Sequence, residues 1–338
     1  MRAAVLRDGR MVCRDDVVEP VPGPGQVLVG VRACGICGSD LHFAQHGAEL
    51  LSQMARLEGM PTGDNIIDLS SDVFMGHEFS AEVLEAGPDT DAPPAGTLVT
   101  SVPVLMTATG IAPIVYSNTA VGGYAERMLL SAPLLLRVPN GLDARHAALT
   151  EPMAVGLHAV NKSNIERRET ALVLGCGPIG IAIIAALARR GVENIVAADF
   201  SATRRELAVT MGAHRVVDAG AASPFDTTTP AVVFEAVGVP GIVDDALRRA
   251  PSATRVVVAG VSMQPDTVHP FYAVIKEVNI QFVYGYDPRE FAESLRAIAD
   301  GEIDVAPLIT GEVGLDGVAA AFDELTSPGA HCKVLVTP

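Results

Sequence analysis

The sequence predicts an α/β protein of two domains: a mostly β, barrel-like unit, then a doubly wound parallel sheet. Three observations carry this. The chain has 338 residues, 49% of them hydrophobic and 19% charged, enough for about two domains of roughly 150 residues with buried cores. The texture changes near residue 155. A glycine turn then sits between an apolar strand and an apolar helix.

The first part is rich in Gly, Pro and Val. Val27-Leu28-Val29-Gly30-Val31 follows the turn sequence Val21-Pro22-Gly23-Pro24-Gly25, and further short strands are expected over 81–87 and 96–100. Short strands broken by frequent turns read as a barrel-like unit. Within 47–72, residues 50–57 predict a short helix in an insertion between two β segments. Beyond residue 155, Leu172-Val173-Leu174, Ile195-Val196-Ala197-Ala198, Val216-Val217, Val232-Val233-Phe234 and Val256-Val257-Val258 are apolar strand candidates. Helical patterns over 179–190 and 204–211 lie between them, the alternation of a parallel sheet built from βαβ units.

With 24 Lys+Arg against 40 Asp+Glu, the net charge is −16. That argues against nucleic acid or an anionic membrane as partner. Charges at Arg7, Asp8 and Arg10 interrupt the amino terminus, so no secretory signal is expected. Residues 171–188 run without a charge, but Gly175, Gly177, Pro178 and Gly180 break the run into strand, turn and helix rather than a membrane span. Five cysteines, an odd number scattered along the chain, make a poor disulfide framework and point to a reducing, cytoplasmic setting.

Gly175-Cys176-Gly177-Pro178-Ile179-Gly180 is a G-x-G-x-x-G between predicted strand and helix, and Asp199 closes the next predicted strand 19 residues after Gly180. Gly175 permits the tight turn. Gly177 lets backbone approach a pyrophosphate, and Gly180 lets helix and strand pack closely. Asp199 suits a ribose hydroxyl and disfavours a 2′-phosphate, so NAD is expected over NADP. Arg204 and Arg205 lie just beyond, where an arginine can accommodate that phosphate or stack on adenine.

A second constellation is Cys34-Gly35-Ile36-Cys37-Gly38-Ser39-Asp40-Leu41-His42, then Gly76-His77-Glu78, then Glu151-Pro152-Met153-Ala154-Val155-Gly156-Leu157-His158. Thiolate, imidazole and carboxylate are all zinc ligands. Cys34-x-x-Cys37 alone suggests a redox pair or half a structural zinc site, but no second C-x-x-C exists.

Together these segments resemble the zinc-dependent medium-chain dehydrogenases, the alcohol, sorbitol and threonine dehydrogenase superfamily, over essentially the whole chain. The resemblance implies a GroES-like catalytic domain over 1–155, to which 290–338 return, and a Rossmann NAD-binding domain over 156–289. It implies zinc ligands Cys37 and His77, completed by Glu78 or Glu151 or both in turn, with Asp40 behind them orienting a ligand. Ser39 and His42 would relay the alcohol proton to solvent. Cofactor contacts implied are Ile179, Asp199, Arg204, Val261, Val283 and Tyr284, beside the turn that includes Pro178. The family's four-cysteine structural-zinc lobe has no counterpart, since no cysteine occurs between Cys37 and Cys176. One catalytic zinc is therefore expected, with the 103–123 lobe held by apolar packing, and a homodimer or homotetramer. The alternatives are a metal-free reductase of the same superfamily and a non-catalytic nucleotide-binding protein. Leu50, Leu51, Met54, Leu57 and Met60 predict a pocket for a secondary or bulky, fairly apolar alcohol.

Overall fold

The computed structural model describes residues 1–57, 67–108, 110–326 and 331–338. The chain divides into two compact units, Met1–Glu151 with Ile309–Pro338, and Pro152–Leu308.

The first unit is built on a seven-stranded sheet. Its order is Leu135–Arg137, Leu98–Ser101, Glu78–Ala86, Gln26–Gly35, Lys333–Val336, Ile309–Val313, and Arg127–Ser131 also pairs with Gln26–Gly35. Inward-facing Val27, Val29, Val31, Phe79, Ala81, Val83, Met128 and Leu130 form its core. A four-stranded sheet carries Arg10–Arg14, Ala3–Arg7, Val73–Met75 and Tyr116–Ser117. In the lobe without cysteines, Val104–Thr107 and Gly110–Pro113 pair as a hairpin, and Leu105 and Ile114 are buried in the core.

The helix expected over 50–57 is instead the far end of a longer one, Gly38–Met54, with a break in helical geometry at His46. Its start is fixed at Cys37, where the Asp40 carboxylate accepts the Cys37 amide at 3.1 Å. Asp40 thus acts as the returning acid of a capping box, a start signal that Gly38 obscured. Leu50 and Leu51 pack against the core, while Met54 and Leu57 are exposed. Met60 lies outside the described residues.

The second unit holds a six-stranded sheet ordered Arg215–Asp218, Asn194–Asp199, Thr170–Leu174, Val232–Glu235, Arg255–Val258, Asn279–Phe282. All of its pairings are parallel. The order reverses between Thr170–Leu174 and Val232–Glu235, which makes the crevice beyond their carboxyl ends the expected ligand site. The helix Pro178–Arg190 buries every residue from Gly180 to Leu187 and ends at Gly191 in left-handed conformation. The uncharged run thus becomes a buried strand and a buried helix. Among the described residues, no helix is long and apolar enough to cross a membrane.

The units part at residue 308 rather than 289. The helix Pro288–Ala299 buries Phe291, Leu295 and Ile298. Glu290 accepts from Asn161 at 2.7 Å and lies 2.7 Å from His158 Nδ1, and Arg189 bonds both Glu293 and Glu302. Those partners belong to the second unit, and they hold residues 290–308 there.

Candidate active site

Register assembles the first site. The strands Gln26–Gly35 and Glu78–Ala86 run antiparallel with Gly35 opposite Glu78 and Cys34 opposite Phe79. Cys37, just past the end of one, therefore meets His77 and Glu78 at the start of the other. One ligand atom from each of Cys37, His77 and Glu78 lies within 4.8 Å of the others. Among the described residues this is the one such group, and Glu151 does not join it at that spacing. Gly76 makes the turn before His77 with φ +98°, and a Cβ there would fall 2.8 Å from the Tyr124 amide.

Asp40 is fully buried behind this group. One of its oxygens accepts from the Cys37 amide at 3.1 Å and from the Tyr124 hydroxyl at 2.6 Å. The other faces His77 Nδ1 at 3.4 Å, and neither of those two atoms has another partner. Burial pushes the His77 pKa down, but Asp40 and Cys37 outweigh it and hold the pKa well above the usual value. Sulfur, imidazole and carboxylate, with a carboxylate turned to the far ring nitrogen, form a donor set suited to a divalent zinc.

Glu78 is also fully buried, and Lys333 Nζ donates to both its oxygens at 2.7 Å and to the Ile36 carbonyl at 3.1 Å. Lys333 arrives because its strand runs antiparallel to Gln26–Gly35, with Leu335 opposite Gly35. Glu78 raises the Lys333 pKa despite burial, which alone would lower it. The fit is tight, since a Cβ on Gly35 would fall 2.0 Å from Glu78 Oε2. Cys34 is buried and its thiol pKa is pushed well up by burial, as suits a core residue rather than a ligand.

Ser39 and His42 are exposed residues on the first turns of the helix Gly38–Met54, the His42 ring partly covered. Burial of the ring, with His46 nearby, lowers the His42 pKa. Tyr116, Tyr124 and Lys333 were not singled out by sequence reasoning. Lys333 did leave a trace, as a lone charge in the apolar strand Lys333-Val334-Leu335-Val336. Tyr116 left none.

The second site lies at the carboxyl end of the parallel sheet. Gly175 has φ +89°, and a Cβ on Gly180 would fall 1.9 Å from the Gly175 carbonyl oxygen. A Cβ on Gly177 would meet nothing within 4 Å. This is the open approach a pyrophosphate needs at the start of the helix that Pro178 and Ile179 begin. Asp199 reaches back to the turn, accepting from the Cys176 amide and the Ser201 amide at 2.8 Å each. Both oxygens keep lone pairs for a ribose. Arg205 is committed to the Asp199 and Phe200 carbonyls and to Asp218, whereas Arg204 Nε is buried without a partner. Val261, Val283 and Tyr284 follow the ends of the strands Arg255–Val258 and Asn279–Phe282, and Val261 and Tyr284 are exposed.

Comparison with known proteins agrees with both halves. Residues 23–140 match the alcohol dehydrogenase GroES-like domain and residues 178–300 the zinc-binding dehydrogenase family. The chain is 30% identical to (R,R)-butanediol dehydrogenase of Bacillus subtilis, over 100% of both chains. It is 25% identical to sorbitol dehydrogenase of Bos taurus, over 94% of this chain and 90% of that one. The crystal structure of the Bacillus subtilis 2R,3R-butanediol dehydrogenase superposes with a TM-score of 0.83 at 29% identity, covering 100% of this chain and 99% of that one. A zinc-binding dehydrogenase of Sinorhizobium meliloti 1021 bound to NADP superposes with a TM-score of 0.84 at 29% identity, over 100% and 99%. Cation-seeking donors in one unit, a phosphate turn in the other and these whole-chain matches agree: the chain belongs to the zinc-dependent medium-chain dehydrogenases, oxidoreductases acting on a CH–OH group.

Proposed function

We propose that this protein is a zinc- and NAD-dependent dehydrogenase of secondary, fairly apolar alcohols. The observation that carries the reading is the convergence of Cys37, His77 and Glu78 within 4.8 Å, with Asp40 behind His77. Cys37 and His77 hold the ion, and the carboxylate of Glu78 or Glu151 completes its shell. Zinc bound there supplies Lewis acidity toward an alcohol oxygen, and the nicotinamide supplies the hydride acceptor.

The chain's own residues do the rest. Asp40 takes the Nδ1 proton of His77 in a hydrogen bond and leaves Nε2 free to donate. Ser39 accepts the hydroxyl proton of the alcohol while its own passes to His42 and on to solvent. The alcohol loses one hydride and one proton and becomes a carbonyl. The turn Gly175–Gly180 cradles the pyrophosphate. Asp199 accepts from the adenosine ribose, which favours NAD, and Arg204 lies beside it. Val261, Val283 and Tyr284 flank the rest of the cofactor. The similarity to a butanediol dehydrogenase supports a secondary alcohol.

The working form is a homo-oligomer. Its support is the outermost strand of the second unit, Asn279–Phe282, exposed along its whole length. Phe282 is 64% and Phe271 66% exposed, and Val274 and Ile275 lie open nearby. An exposed edge strand with open apolar side chains on and before it can pair with another chain.

The test is a panel of alcohols with NAD and NADP in parallel, on protein of measured zinc content. We expect turnover in proportion to bound zinc, NAD preferred, and butane-2,3-diol or a cyclic alcohol above sorbitol in kcat/KM. Turnover without metal, or a preference for sorbitol, refutes the reading in its respective part. Light scattering of wild type and Phe282→Lys tests the oligomer, with the variant expected to be smaller.

A further inference from the structure

We propose that Tyr116 is a positioning residue that fixes the Ser39 hydroxyl for proton transfer. This rests on the dehydrogenase reading above. The short strand Tyr116–Ser117 pairs with Val73–Met75, Met75 opposite Tyr116, which brings the tyrosine to the segment that leads into His77. Its ring lies flat on Phe43, centroids 3.9 Å apart and planes 9° apart. Phe43 is buried on the helix Gly38–Met54. It stands four residues beyond Ser39 and so on the same helix face. The stack sets the Tyr116 phenol on the helix face that carries Ser39, close enough for the two side chains to interact.

The stack alone asks only for a phenylalanine. The phenol oxygen is the extra group, and Ser39 is the hydroxyl on the helix face against which the ring stacks. Burial and the Asp40 charge push the Tyr116 pKa up, so the phenol keeps its proton throughout the working range. A serine hydroxyl has one proton and two lone pairs on a free rotor. A phenol anchored by stacking occupies one of those positions and selects one rotor state, leaving the remainder aimed at the alcohol and at His42. Preorganisation of this kind acts on the reacting step more than on binding. The lobe that lacks cysteines thereby contributes a side chain to the site.

The test is a double-mutant cycle on the zinc-loaded full chain: wild type, Tyr116→Phe, Ser39→Ala and the double variant. Tyr116→Phe keeps the ring stack and is expected to lower kcat by about 5- to 10-fold with KM changed less than about twofold. In the Ser39→Ala background the same change should alter kcat by less than about twofold. Binding of a simple carboxamide, a carbonyl analogue, to the NADH-loaded enzyme gives a readout without turnover. NADH fluorescence should report weaker binding for Tyr116→Phe only where Ser39 is present. Equal losses in both backgrounds, including a general loss of fold or zinc, overturn the inference, as does a Tyr116→Phe enzyme that matches an active wild type. A zinc-loaded wild type that oxidises no alcohol overturns the dehydrogenase reading, and this inference with it.

Discussion

The two units satisfy their carboxylates by different means. In the first, Glu78 is met by the Lys333 ammonium on both oxygens, and Asp40 by a phenol, an amide and an imidazole. In the second, Glu235 is buried and accepts from the amides of Val237 and Gly238 at 2.7 and 2.8 Å, and Asp199 from those of Cys176 and Ser201. Side chains supply most of these partners in one, peptide N–H groups supply them in the other. The difference matches what each site would hold. Cys37 and His77, with Asp40 behind the imidazole, are donors that would suit a cation. A helix start that is open at Gly177 would suit an anion.

The comparison can be broken at several points. The largest effect is expected from Cys37→Ala, which removes the sulfur donor. Zinc should be lost and kcat/KM should fall at least about 1,000-fold, measured by metal analysis and NADH formation together. Retained zinc with retained turnover would mean that the cation is held elsewhere.

Next comes Lys333→Met. It leaves a buried carboxylate without its cation, a loss of about 3–5 kcal/mol, read from urea unfolding at neutral pH. Adding Glu78→Leu should recover most of that loss, because the unpaired charge is then gone. Glu235→Gln sharpens the contrast. An amide oxygen still accepts from the peptide N–H groups, so a smaller cost of about 1–2 kcal/mol is expected. Equal costs for Lys333→Met and Glu235→Gln would erase the distinction between the two units.

Gly177→Ala places a methyl in open space and should leave stability within about 1 kcal/mol. It should weaken NADH binding about 10- to 100-fold, followed by cofactor fluorescence. Gly180→Ala does the reverse. Its methyl meets a carbonyl oxygen at 1.9 Å, so it lowers the melting temperature of the cofactor-free protein.

The smallest effect is expected at His42. Its pKa lies below the usual 6.5, so the ring is neutral at pH 7 and able to accept a proton. Alcohol oxidation should therefore hold above that pKa and decline as pH falls through it. His42→Ala should lower kcat by about 3- to 10-fold near neutrality and flatten that acid limb. An acid limb unchanged in the variant would assign it to another group.

How much was legible in the sequence depended on how local each feature is. The turn from Gly175 to Gly180, with Asp199 one strand later, could be read because strand, turn and helix are neighbours in the chain. Ser39, Asp40 and His42 came with Cys37 in one short motif. The extent of the helix Gly38–Met54 is hard to read from sequence because its capping acid, Asp40, also stands behind the site. The second break between units is not legible in the sequence because residues 290–308 are held by partners such as His158 and Arg189, which lie far away in sequence.

By itself the sequence determined the two-domain α/β plan, the phosphate turn and the residue types able to hold a metal, since apolar periodicity and short motifs encode these through near neighbours. Tertiary structure alone decided which donors meet. Sheet register sets Gly35 against Glu78 and brings Lys333 onto that carboxylate from 255 positions away. It brings Tyr116 beside Ser39 and leaves Glu151 outside the close group. Such choices rest on strand pairing between distant segments, where a shift of one residue would turn each side chain to the other face of the sheet.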